Sequence, residues 1–161
     1  MIALVMGCSG AAKRSRPISA PPPTVAPGTC ANPDRDGSVS AKPDIKRANR
    51  DLDRDGIDEV VVADRALCNG RNCHWNLFRV VTSKEATPCH EYLGTVSGAT
   101  IEVAAVREAG FPELRSWWTF SDERALLSVY HFREVGYRLI ETLMCHQEGG
   151  DGVRCVSEEP R

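Results

Sequence analysis

The chain contains no run approaching the ~20 apolar residues that a membrane-spanning helix requires. Any attachment to a bilayer therefore has to come through something other than such a helix. It has no G-x-S-x-G elbow for a serine nucleophile and no glycine-rich phosphate loop, so the commonest signatures of hydrolases and nucleotide enzymes are missing. Positive charge is not in surplus. The 20 basic residues stand against 22 acidic ones, for a net charge of −2, and no basic face for nucleic acid is announced. From Cys30 onward no second linker interrupts the chain, and residues 30–161 read as one β-rich domain with its own core.

What the chain does have is acid in one place. DLDRDGIDE, residues 51–59, holds five carboxylates in nine positions and runs straight into VVVA. Asp51, Asp53 and Asp55 sit at alternate positions, Gly56 allows a sharp bend, the Ile57 carbonyl follows, and Glu59 is ninth. That is most of the ligand order of a calcium loop, in which a hard divalent cation offsets the repulsion of the acids. The alternative is a metal-free acidic turn, since short carboxylate side chains bond their own backbone. An EF-hand would close its loop with a Glu at the twelfth position, where this chain has Val62, and three β-branched residues in a row lead into a strand rather than a helix.

Acids in this order followed by a strand resemble the D-x-D-x-D-G-x-D-[DE] loops of FG-GAP and VCBS repeats. The resemblance covers about a dozen residues and implies Ca2+ held by Asp51, Asp53, Asp55, Ile57 and Glu59. A weaker echo lies upstream in Asn32, Asp34, Asp36 and Gly37, where the following SVS offers poorer ligands.

The N-terminus suggests a compartment. Leu4-Val5-Met6-Gly7-Cys8 resembles a bacterial lipobox, which implies lipidation of Cys8, with residues 1–7 the remnant of a signal peptide whose start lies upstream of Met1. Residues 8–29 are rich in Pro, Ser and Ala and carry no aromatic residue, so they read as a disordered tether. Six further cysteines follow: Cys30, Cys68, Cys73, Cys89, Cys145 and Cys155. In an exported chain an even number suggests disulfides, and six cysteines allow fifteen pairings. Local spacing favours Cys68 with Cys73 around an Asn-Gly turn and Cys145 with Cys155 around a polar, Gly-rich one, leaving Cys30 and Cys89. Cys-His pairs at 73–74, 89–90 and 145–146 raise zinc, but adjacent residues of a strand face opposite ways. CNGRNCH is too widely spaced for haem attachment.

Strand character recurs at 57–64, 74–81, 91–96, 100–106, 113–120, 124–132 and 135–145, with a hairpin across Arg133 to Gly136. The expected fold is mainly β, a disulfide-stapled single antiparallel sheet or open barrel-like meander of six or seven strands. A short helix near 100–109, closed by Gly110, is the local alternative. Glu91, Glu102, Glu113 and Glu141 are read as solvent-facing sheet residues rather than paired catalytic acids, and Ser97 as part of a turn. Of Trp117 and Trp118, one should face the core and the other offer a binding surface.

Together these features resemble small bacterial lipoproteins, and the expectation is a non-enzymatic, lipid-anchored cell-envelope protein, at the outer membrane in a Gram-negative cell, that binds a protein or glycan. A small envelope hydrolase is the alternative. Expressed with its upstream start, the chain should incorporate a palmitate analogue that Cys8→Ser does not; equal labelling of the two would remove the lipid anchor.

Overall fold

The computed structural model describes residues 25–82, 89–104, 110–148 and 152–157. The lipobox, Cys8 and most of the expected tether lie outside these residues.

The described chain is mainly antiparallel β, in two five-stranded sheets, one of them curled into a half-barrel. The first comprises β1 (Cys30–Ala31), β2 (Ile45–Arg47), β3 (Val60–Asp64), β4 (Cys73–Val81) and β5 (Cys89–Gly98), in the order β1-β5-β4-β3-β2. The second comprises β6 (Thr100–Val103), β7 (Leu114–Ser121), β8 (Arg124–Arg133), β9 (Gly136–Glu148) and β10 (Gly152–Ser157), in the order β10-β9-β8-β7-β6. All seven expected strands form. The three additional ones, β1, β2 and β10, are short or edge pieces whose composition gives little periodic signal. Residues 100–103 are strand rather than helix, because Thr, Ile and Val at those positions pair with β7. Residues 105–109, the rest of the alternative helix, lie outside the described chain.

The sequence VVVAD explains why β3 lies inside: it is buried at every position, with apolar residues on both of its faces. Val61 and Ala63 join Leu52, Trp75, Leu77, Leu93, Val96, Leu114 and Tyr137 in the main core between the sheets. Val60 and Val62 look the other way, onto Phe78 and Tyr92, beneath Val25, Ala31 and Ile45. The last residues of the expected tether thus belong to the fold. The Gly28 amide donates to the Tyr92 carbonyl, and the Tyr92 amide to that of Thr29.

Two glycines let the sheets touch backbone to backbone. A Cβ on Gly136 would lie 2.4 Å from the Leu93 carbonyl oxygen, and one on Gly94, whose φ is +125°, would lie 3.1 Å from that of Tyr137. At the other end, the Asn72 side chain bonds both the amide and the carbonyl of Thr119, and the Ser116 hydroxyl donates to the Ser97 carbonyl. In the β8–β9 hairpin the period-two alternation is present, but the inward face of β8 carries Ser128 and Tyr130.

Disulfides join Cys30 to Cys89, Cys68 to Cys73 and Cys145 to Cys155. The first closes a long loop and by chain entropy is worth about 4 kcal/mol, against about 2 kcal/mol for the shortest. Three such bonds place the chain in an oxidising, exported environment. Among the described residues no helix is long and apolar enough to cross a membrane.

The upstream acidic segment is structural. Asn32 caps the single helical turn α1 (Pro33–Asp36), its side chain accepting from the Asp34 amide while the Asp36 carboxylate accepts from the Asn32 amide. The SVS that follows wraps a different acid. Asp64 Oδ2 accepts from the Ser38 and Ser40 hydroxyls and from the Val39 and Ser40 amides, and Oδ1 accepts from the Ala66 amide. Burial alone would push this carboxyl upward, but the donors overcome it and hold it at about 2. Because the folded value lies below the ordinary 3.8, the unfolded chain binds the proton more tightly. Asp64 should therefore contribute about 2 kcal/mol at neutral pH that disappears as pH falls from about 4 to about 2. Denaturant titrations should find Asp64→Asn less stable by that order at pH 7, with this acid-dependent segment gone.

Candidate metal centre

The loop between β2 and β3 is closed at its base by an antiparallel bridge in which the Arg50 and Glu59 amides and carbonyls bond each other at 3.2 and 3.0 Å. Inside the bridge, Leu52 is anchored in the core, so the acids on either side of it have a fixed platform. Three backbone amides then turn the loop inward onto its own carboxylates. Asp53 Oδ1 accepts from the Asp55 amide, Asp55 Oδ1 from the Ile57 amide, and Asp51 Oδ2 from the Gly56 amide. Arg54 and Gly56 both adopt left-handed backbone, at φ 64° and 89°, which the tight winding demands.

The winding brings Asp51, Asp53 and Glu59 together, with one carboxylate oxygen of each within 4.8 Å of the others. That group of oxygens can hold a metal ion. The Asp55 carboxylate, also expected as a ligand, is not among these three and accepts from the Ile57 amide, while Ile57, whose carbonyl is expected to add a ligand, follows it in the loop. Glu59 is the innermost member at 2% exposure. Burial is the largest influence on its carboxyl, and although the Leu52 amide at 2.7 Å opposes it, the charges of Asp53, Asp55 and Asp51 add to the upward push, to about 7. Asp51 Oδ1 is buried and has no hydrogen-bond partner among the described residues. An unpartnered carboxylate oxygen, a buried acid and a third carboxylate within a few ångströms are the donor set of a hard cation, which takes oxygen ligands and cancels the repulsion.

The remaining expected sites fall out differently. Trp118 is buried, with its ring against His74, so it is no surface residue. Trp117 is the half-exposed one, and its indole N–H donates to Glu102 at 3.0 Å. It lines a groove of about 460 Å³ with Glu102, Asp122, Glu123, Arg124 and His146. Glu113, expected at the surface, is buried and bonds Arg115 and His131. The six cysteines are all oxidised in pairs, which removes zinc thiolates and haem attachment. Ser97 does meet a histidine, with its hydroxyl 2.7 Å from His74 Nδ1, but the two are cross-strand neighbours on β4 and β5 and the imidazole is packed under Trp118. A cross-strand bond of this kind fixes register.

Comparison with protein-family models, with curated proteins and with solved structures finds no match to this chain.

The loop geometry makes a direct prediction. A Cβ on Gly56 would meet nothing within 4 Å, so Gly56→Ala adds only left-handed strain. Chemical unfolding in chelator should show it less stable by about 1 kcal/mol, and no change would mean that the loop is not held in this winding.

Proposed function

We propose that this chain is a non-enzymatic, lipid-anchored domain of the cell envelope whose 51–59 loop binds Ca2+ and whose β-surface engages a protein or glycan. The observation that carries the reading is the convergence of Asp51, Asp53 and Glu59 ahead of a fully buried strand, with a buried Asp51 oxygen that has no hydrogen-bond partner among the described residues. Calcium is favoured over magnesium because the donors form an irregular set of carboxylates from one short loop, whereas magnesium demands near-ideal octahedral geometry and keeps its waters. The resemblance of the loop to FG-GAP and VCBS calcium loops supports the same ion. Three disulfides support export, and the lipobox-like sequence ending at Cys8 supports anchoring of the exported chain through lipid at the outer membrane. The groove beside Trp117 is the surface we assign to a partner, since an indole edged by three carboxylates, an Arg and a His can both stack and hydrogen-bond.

The ion would stabilise the fold by linkage. Binding to the native state alone adds about 2.7 kcal/mol when calcium stands at a hundred times its dissociation constant, and extracellular sites commonly need millimolar calcium. Thermal melts in chelator and at several millimolar Ca2+ should therefore separate by several degrees for the wild type, less with Mg2+, and hardly at all for Asp53→Ala. A wild-type melt indifferent to calcium would reduce 51–59 to an acidic turn.

A further inference from the structure

The acids of the metal centre all come from one loop of the first sheet, yet a polar group from the second sheet is buried beside them. Tyr137 stands at the start of β9 and is 4% exposed. Its ring is held edge-on by Phe111 and Phe132, with centroids 6.1 and 5.5 Å away. Its backbone is pressed on Gly94, where even a methyl would lie 3.1 Å from the Tyr137 carbonyl oxygen. The ring has little room to reorient.

The hydroxyl at its end is fully buried and bonds no described group. A buried phenol without a partner costs about 1–3 kcal/mol, and folded proteins seldom tolerate one unless a water or an ion is near. Val61 pairs with Leu77 and Leu77 with Gly94, on which the Tyr137 backbone lies, and Glu59 stands two residues before Val61 on the same buried face, so the start of β9 and the base of the acidic loop border the same part of the core. The electrostatics agree: after burial itself, the charges of Glu59 and Asp53 are what hold the phenol proton on, so the hydroxyl lies in the field of the metal-binding acids. A neutral phenol is a poor ligand for a hard cation but a good donor to a water on one.

We infer that Tyr137 completes the cation site from the opposite sheet, its buried, unpartnered hydroxyl donating to a water carried by the ion that Asp51, Asp53 and Glu59 hold. Tyr137 is then a positioning residue rather than a ligand. Occupancy of the loop ties β9 to the entrance of β3 and clamps the two sheets together, so the ion stabilises their packing as well as the loop. This rests on the cation reading of the loop.

The test uses the full chain, wild type and Tyr137→Phe, with CaCl2 titrated calorimetrically after chelator treatment. Removing such an outer partner typically weakens metal affinity by about tenfold or more, and that is the expected loss for Tyr137→Phe. In chelator the variant should melt at the wild-type temperature or above it, because only an unpartnered hydroxyl has been removed. Hydrogen exchange supplies an independent readout: calcium should slow exchange at residues 136–139 in the wild type and not in the variant. Equal affinities, or a variant that melts markedly lower in chelator, would overturn the clamp while leaving the calcium loop intact. Absence of any calcium heat in the wild type would overturn the loop reading itself, and the clamp with it.

Discussion

The contact on which the molecule depends is the one between β5 and β9, where two sheets meet without side chains between them. Gly136 lies on the Leu93 carbonyl and Gly94 on the backbone of Tyr137, at distances that admit no Cβ on the first and only a tight one on the second. Sheets packed through side chains stand about 10 Å apart. Here one corner closes far more tightly, and the strands diverge from it around Trp75, Leu77, Leu114 and Tyr130. The same corner fixes the start of β9, with the Tyr137 backbone on Gly94 and its side chain in the core between the sheets.

Strand β3 lies between two buried carboxylates with opposite fates. Asp64, at its end, receives five hydrogen bonds, and its carboxyl falls to about 2. Glu59, just before its start, receives one, from the Leu52 amide, and its carboxyl rises to about 7. Burial pushes both carboxyls up; at Asp64 the donors outweigh it, whereas at Glu59 one amide does not, and the neighbouring acids add to the push. An acid satisfied by the backbone is a structural staple; an acid left short of donors beside other acids is where a cation gains most.

The second sheet carries no comparable charge at its centre. Its buried Ser116 and Glu113 are bonded across and within the sheets, and its disulfide pins the outer edge strand β10 to β9. Edge strands otherwise present unpaired backbone to other chains, and the short β10 held covalently limits that exposure. The outward groove at Trp117 lies on this edge side, between β7, β8 and the end of β9.

By itself the sequence determined the strands that carry strong β-branched or aromatic periodicity, the local disulfides whose loops are short, and the turn that gathers the acids, because each is a matter of neighbours within about a dozen residues. The long-range Cys30–Cys89 bond was legible only by elimination. Tertiary structure alone decided that the meander splits into two sheets at Gly98, that Trp118 turns inward and Trp117 outward, and that Glu113 is buried against Arg115 and His131. It also decided that Asp51, Asp53 and the buried Glu59 bring their carboxylates together. The physical reason is that pattern specifies which residues alternate, whereas which face of a strand is covered, and which distant side chain reaches a site, depends on how closely two backbones can approach. Nothing in the alternation of these strands shows that Gly136 will lie on the Leu93 carbonyl; the absence of a Cβ at positions 94 and 136 lets the two backbones meet there.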